Sequence, residues 1–208
     1  MSEAIKKLPV ATGVGRQIVP AKLAHFVIRT SRFDEVLAWY RTVFHARTSY
    51  ENPMLAFLTY DEEHHRIAVL NTAQMKTPQE LLTGIDHVAF AYASLADLLA
   101  TYERLKGEGI LPFWCINHGP TTSMYYRDPD GNEVELQVDN YDTVEEATAY
   151  FYSPEFAANP IGVDFDPDAL HARLRAGEPD AVLLRQGAAP VTRGSEFVFT
   201  KFGAPPDA

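Results

Sequence analysis

Two histidines, His25 and His87, occupy the same place in two short apolar segments of one pattern, x-His-[Phe/Val]-x-[Ile/Phe], 62 positions apart. Further along, the segment GNEVELQV alternates so that Glu133, Glu135 and Gln137 share one face of an extended chain. Imidazole and carboxylate together bind divalent metals, and two histidines with one carboxylate leave part of the coordination sphere open. Open positions suit a non-haem Fe(II) centre that must take both an organic substrate and O2. Other metal arrangements fit worse. Cys115 is the only cysteine, so intrachain disulfides and thiolate clusters are excluded, and the His-Glu-x-x-His spacing of helix-borne zinc enzymes does not occur.

The elements that must carry these groups repeat. LAHFVIRT reads as a strand centred on His25, and SRFDEVLAWYRTVF as a helix with Val36, Leu37, Tyr40 and Phe44 at helical spacing. MLAFLTY and RIAVLNT then read as strands about the acidic turn DEEHH. The second pass has the same order. IDHVAFAY is a strand centred on His87, and SLADLLATYERLK a helix capped by Ser94 with Leu95, Leu98, Leu99 and Leu105 on its apolar face. ILPFWCI is a strand, and TSMYYRD with GNEVELQV a hairpin closed by Asp128-Pro129-Asp130-Gly131. Such a duplication predicts an α+β fold, since each half must bury its apolar face and the other half is the nearest cover. Two βαβββ modules, residues 21–80 and 81–140, are expected to form one curled mixed sheet around a metal cleft. Residues 1–20 read as an N-terminal arm. Residues 141–208 read as a C-terminal extension serving as lid or interface, loop-like at FAANPIG and KFGAPPDA, with one short helix capped by Asp166 and opened by Pro167.

Composition narrows the partners. At 208 residues and 46% hydrophobic, the chain can bury one sizeable core. A formal charge of −10, with its acids dispersed, argues against nucleic acid and anionic membranes. No apolar run reaches membrane-spanning length, and the first residues, MSEAIKKLPVATGVGRQ, lack a signal-peptide core. A soluble, cytoplasmic protein with a small, weakly charged ligand is expected.

The duplicated module, DHVAF and above all RDPDGNEVEL resemble the vicinal oxygen chelate superfamily over residues 22–140. That superfamily includes glyoxalases, bleomycin-resistance proteins and type I extradiol dioxygenases. The resemblance implies His25, His87 and Glu135 as ligands of Fe(II), with Mn(II) as the alternative metal, and leaves Glu133 as a turn or ion-pair residue. Glyoxalase-like members place a further acidic ligand in the first module, where alignment of Asp61 on Asp128 puts Ala68. An open three-ligand site follows, and with it the extradiol branch. HHRIAVL is similar to that branch's His-His-x-Leu-Ala and identifies His65 as the proton-transferring base. Tyr125, ten residues before Glu135, matches the substrate-orienting tyrosine. His118, in the loop NHGPTT, matches the second active-site histidine, a hydrogen-bond donor to the reacting oxygen, at a slightly shorter interval from the tyrosine.

The implied substrates are an aromatic diol and O2, the implied product a ring-opened hydroxymuconic semialdehyde, and the implied assembly a homo-oligomer. Two rival readings are a glyoxalase-like lyase or isomerase using Zn, Ni or Mn, and a binding module without catalysis. Among the other residues, Phe113, Trp114 and Phe165 are core or pocket wall, His64 has no role, and His45 and His171 are surface residues.

Overall fold

The computed structural model describes residues 22–74 and 84–189. The first module runs β1 (Phe26–Thr30), α1 (Phe33–Phe44), β2 (Arg47–Asn52), β3 (Leu55–Thr59) and β4 (Ile67–Asn71). The second runs β5 (His87–Ala91), α2 (Leu95–Gly107), β6 (Trp114–Asn117), β7 (Thr121–Arg127) and β8 (Glu133–Asp139). The extension adds α3 (Val144–Tyr150), α4 (Pro154–Ala158), β9 (Val163–Asp164), α5 (Pro167–Arg175) and α6 (Asp180–Leu183).

The α+β class and the repeated βαβββ order hold. The strands make two hydrogen-bonded sheets, β1-β4-β3-β2 and β5-β8-β7-β6-β9, in place of one continuous curled sheet. In each, the first strand pairs in parallel with the last strand of its own module, and the remaining pairs are antiparallel. One face of each sheet is the core. Val36, Leu37, Tyr40 and Val43 of α1 pack with Leu95, Leu98, Leu99, Tyr102 and Leu105 of α2 over Leu58, Val69, Met124, Tyr126 and Leu136. Strand alternation then delivers the intervening residues to the opposite face.

Capping sets the helix starts. Ser94 accepts from the Asp97 amide, and Asp166 accepts from Asp168 and Ala169 with Pro167 at the first helical position. Five elements have no counterpart in the sequence reading: β2, α3, α4, β9 and α6. Strand β2 is almost wholly exposed and so shows no apolar alternation, and α3 and α4 bury no residue, so neither has an apolar stripe. Helix α4 also takes the start of FAANPIG, whose sequence reads as loop. His171 is buried, not a surface residue, and lies 3.7 Å from Glu103. The N-terminal arm and KFGAPPDA lie outside the described residues. Among the described residues, no helix is long and apolar enough to cross a membrane.

The β7–β8 hairpin, which carries Tyr125 and Glu135, is pinned by Asp128. Its carboxylate accepts from the amides of Asp130 and Asn132, from the Asn132 side chain and from the buried Tyr40 hydroxyl. Gly131 supplies the positive φ of 88° that closes the turn. Asp128→Ala strands these donors and is expected to destabilise the chain by about 1–3 kcal/mol, read as a lower denaturation midpoint with an unchanged m-value.

Candidate active site

Register places the chemistry. Ala89 pairs with Glu135, Glu135 with Tyr125, and Tyr125 with Trp114, so one row crosses β5, β8, β7 and β6. His87, two residues before Ala89, opens β5 on the same face. It does not sit in mid-strand, and His25 likewise comes immediately before β1. His87 Nε2 lies 2.9 Å from Glu135 Oε2, and its Nδ1 lies 2.7 Å from Asp86 Oδ2. Tyr125 packs edge-on to His87 and stacks on Trp114 with ring centroids 4.8 Å apart. Its hydroxyl is 3.0 Å from His118 Nε2 and within hydrogen-bond reach of Glu135. Phe113 and Ile161 pack against Trp114, Ile116 and Tyr125, which gives this face an aromatic floor separate from the main core. Phe165 belongs to that main core instead.

The electrostatics follow from burial and pairing. Burial raises the pKa of Glu135, but hydrogen bonds from His87 and Ser123 and nearby positive charge outweigh it, so its carboxyl stays below the usual range. The Glu135 hydrogen bond raises the His87 pKa against desolvation, with Asp86 adding to the rise. Burial first, and the Glu135 charge second, push the Tyr125 phenol well above its ordinary value. Tyr125 is therefore a neutral hydrogen-bonding group at any working pH.

His25 and His65 form a second cluster beside the first sheet, with ring centroids 4.3 Å apart. His65 also stacks on Phe57, and its Nδ1 is 2.5 Å from that of His64. Desolvation, then the neighbouring His25 and His64, lower the His65 pKa and favour the neutral imidazole. Arg66 holds the chain beside His25 by donating to the carbonyls of Leu23 and Ala24. Val27 pairs with Ala68 and Ala68 with Phe57, as Ala89 pairs with Glu135 and Glu135 with Tyr125. Ala68 thus occupies the first-module counterpart of Glu135.

Among the described residues, no three His, Cys, Asp or Glu side chains converge closely enough to hold a metal ion. His87 and Glu135 nevertheless suit one. Two donors at ~2.1 Å on adjacent vertices of an octahedral ion stand ~3.0 Å apart, close to the separation of this pair. A carboxylate on the far nitrogen of a ligating histidine is also the usual arrangement for fixing its ring. His25 stands apart from the pair in this arrangement. Glu133 pairs with Arg127 at 3.0 Å, as an ion-pair residue should. Asp86 and Ser123 were legible only as neighbours of named residues, and Ile161, whose carbonyl lies 2.5 Å from His118 Nδ1, gave no sequence signal.

Comparison with known proteins agrees with this geometry. The family model of the Glyoxalase/Bleomycin resistance protein/Dioxygenase superfamily matches residues 22–136. Biphenyl-2,3-diol 1,2-dioxygenase 2 of Rhodococcus globerulus is 50% identical over 159 residues, spanning 76% of this chain and 84% of the relative. Biphenyl-2,3-diol 1,2-dioxygenase 3 of the same organism is 44% identical over 167 residues, spanning 79% and 88%. A glyoxylase/bleomycin resistance protein/dioxygenase domain from Frankia sp. EAN1pec shares the fold, with a TM-score of 0.50 at 16% identity over 60% of this chain and 96% of that one. With two βαβββ modules, the family motif and these relatives together, the chain belongs to the glyoxalase/bleomycin resistance protein/dioxygenase superfamily.

Proposed function

We propose that this chain is an extradiol dioxygenase that opens a catechol-type ring beside its two hydroxyls, using O2 and an Fe(II) held by His25, His87 and Glu135. The observation that carries the reading is the row of His87, Glu135, Tyr125 and His118 on one sheet face, its metal-binding pair already at ligand separation. The two Rhodococcus relatives direct the choice of first substrate to an aryl-substituted catechol, biphenyl-2,3-diol.

When bound, Fe(II) supplies the charge that lowers the diol pKa and the redox chemistry that lets O2 react with the ring. The remaining work falls to the chain. His65, kept neutral by its surroundings, accepts a diol proton. Tyr125, held protonated, orients a substrate oxygen, and His118 acts through the hydrogen bond they share. Trp114, Phe113 and Ile161 present an apolar surface to the ring and keep water from it. Diol and O2 combine with both oxygen atoms retained in the ring-opened product. The glyoxalase-like alternative lacks support at Ala68, which has no donor atom.

Protein purified without oxygen is expected to hold about one Fe(II) per chain and to consume O2 with biphenyl-2,3-diol, giving a yellow product. Anaerobically reloaded protein that stays inert with the diol, but converts methylglyoxal and glutathione, would reverse the assignment. His65→Ala should cut turnover by about 10²-fold at unchanged iron content, whereas Glu135→Ala should lose the iron.

Metal-free protein gives a pH test of the His87–Glu135 pair. The raised His87 pKa contributes stability that is complete below ~6.5 and lost as pH rises through the folded value. The depressed Glu135 pKa contributes stability that is present above ~4.3 and lost as pH falls through its folded value. Denaturation midpoints are therefore expected to peak between these limits, and Glu135→Gln should flatten the peak. A wild-type profile already as flat as the variant's would show that the pair is not formed.

A further inference from the structure

The extension returns to the site after α4, and residues 159–163 lie flat against the backbone that carries His118. Val163 pairs with Asn117 and Asp164 with Ile116, making β9 the edge of the second sheet. Gly162 has φ +122°, and a Cβ there would lie 2.3 Å from the Asn117 carbonyl oxygen and 2.8 Å from His118 Cα. Only glycine allows so close an approach. Asn159 ties the loop together, accepting from the amides of Ile161 and Gly162 and donating to the Gly162 carbonyl at 2.6 Å. Across the turn, the Tyr150 ring fills the space that a Cβ on Gly119 would take. Asn117, buried between these layers, donates to the Leu184 carbonyl and accepts from the Gly119 amide and the Asn140 side chain.

This clamp delivers one atom to the site. The Ile161 carbonyl oxygen lies 2.5 Å from His118 Nδ1. A carbonyl can only accept, so that contact is a hydrogen bond only when Nδ1 carries the proton. In a neutral imidazole the other nitrogen then holds a lone pair, and Nε2 faces the Tyr125 hydroxyl at 3.0 Å. We infer that residues 159–163 act as a positioning strap that fixes His118 as the Nδ1–H tautomer, so that its Nε2 meets Tyr125 and the substrate as an acceptor.

The inference rests on the proposed function for its catalytic meaning, and it changes the role expected of His118. In this tautomer the neutral ring has no proton at Nε2 to offer, so it becomes a donor there only after accepting one. The single Tyr125 proton has two acceptors in reach, His118 Nε2 and the Glu135 carboxylate; when Nε2 takes it, Glu135 keeps its hydrogen bonds from His87 and Ser123. Ile161 is thereby a positioning residue through its backbone. No side-chain substitution at 161 removes that carbonyl, so the test must move the strap.

The test is nuclear magnetic resonance on the full chain with 15N-labelled histidine, stripped of metal and held at mildly alkaline pH. His118 is assigned by the resonances lost in His118→Asn. The ring nitrogens are told apart because Nε2 couples to both carbon-bound ring protons and Nδ1 chiefly to one. The expected result is a protonated Nδ1 and a bare Nε2. A protonated Nε2, the form that imidazole prefers in water, would overturn the inference. Gly162→Ala pushes the strap away from the 117–118 backbone, and Asn159→Ala loosens it without a clash. Each should move His118 toward averaged or Nε2-protonated signals, with circular dichroism unchanged in Asn159→Ala. Should Gly162→Ala fail to fold, Asn159→Ala decides; retention of the wild-type pattern in every folded variant rejects the strap. On biphenyl-2,3-diol with iron present, turnover of Asn159→Ala should fall about tenfold at unchanged KM, against about 10²-fold for His118→Asn. If the tautomer is as inferred but His118→Asn turns over like wild type, the proposed catalytic role fails and the strap stands.

Discussion

A carboxylate withdrawn from water survives as an anion only where hydrogen bonds and positive charge replace its hydration, and Glu135 is such a group, 4% exposed in the middle of a sheet face. Its surroundings answer that demand. His87 meets one oxygen, Ser123 and Tyr125 are within hydrogen-bond reach, and Asp86 on the far side of His87 keeps the imidazole turned inward. A divalent cation bound between His87 and Glu135 would satisfy the same anion more strongly and would displace the proton that stands in for it. Metal binding and local folding of the second module are therefore two answers to one electrostatic problem.

The duplication shows what this problem costs and where it is avoided. In the first module the positions matching Glu135 and Tyr125 are Ala68 and Phe57, so the equivalent face needs no charge compensation. Freed of a carboxylate, that face can stack His65 on Phe57 and His25 on His65, holding imidazoles by ring contact instead of ion pairing. A neutral His65 on one sheet and a charged pair on the other give two unlike halves from one repeated unit. That asymmetry sets a proton-accepting imidazole in one half against a charged pair in the other.

Much of this was legible in the chain. The repeat follows from one pattern met twice in the chain, and the capped helix at Ser94, the Asp128 turn and the Asp166–Pro167 helix start follow from local rules, because each uses residues within a few positions of one another. The cross-sheet row of Glu135, Tyr125 and Trp114 followed partly, through strand alternation and the family motif. What escaped notice depended on distance along the chain or on missing periodicity. The Ile161 contact spans 43 positions, and no local pattern can announce a backbone carbonyl. Strand β2 escaped because an exposed edge strand has no buried side to alternate with.

The edges of the two sheets explain why β9 of the extension joins the second sheet. An unpaired edge is a template for unwanted pairing, and each sheet manages it differently. In the first sheet, β2 is blunted by a break in register between Thr48 and Tyr50 and by the Arg41–Glu51 ion pair over its outer surface. In the second, β6 carries Trp114 and leads directly into His118, so neither a bulge nor added charge could be placed there without moving the site. Covering β6 with β9 closes that edge with backbone hydrogen bonds and leaves the Trp114 row undisturbed. Having reached β6 to close the sheet, the chain necessarily passes beside His118, and the strap at 159–163 is what that passage makes available. Edge protection and histidine positioning thus come from a single crossing of the extension over the second module.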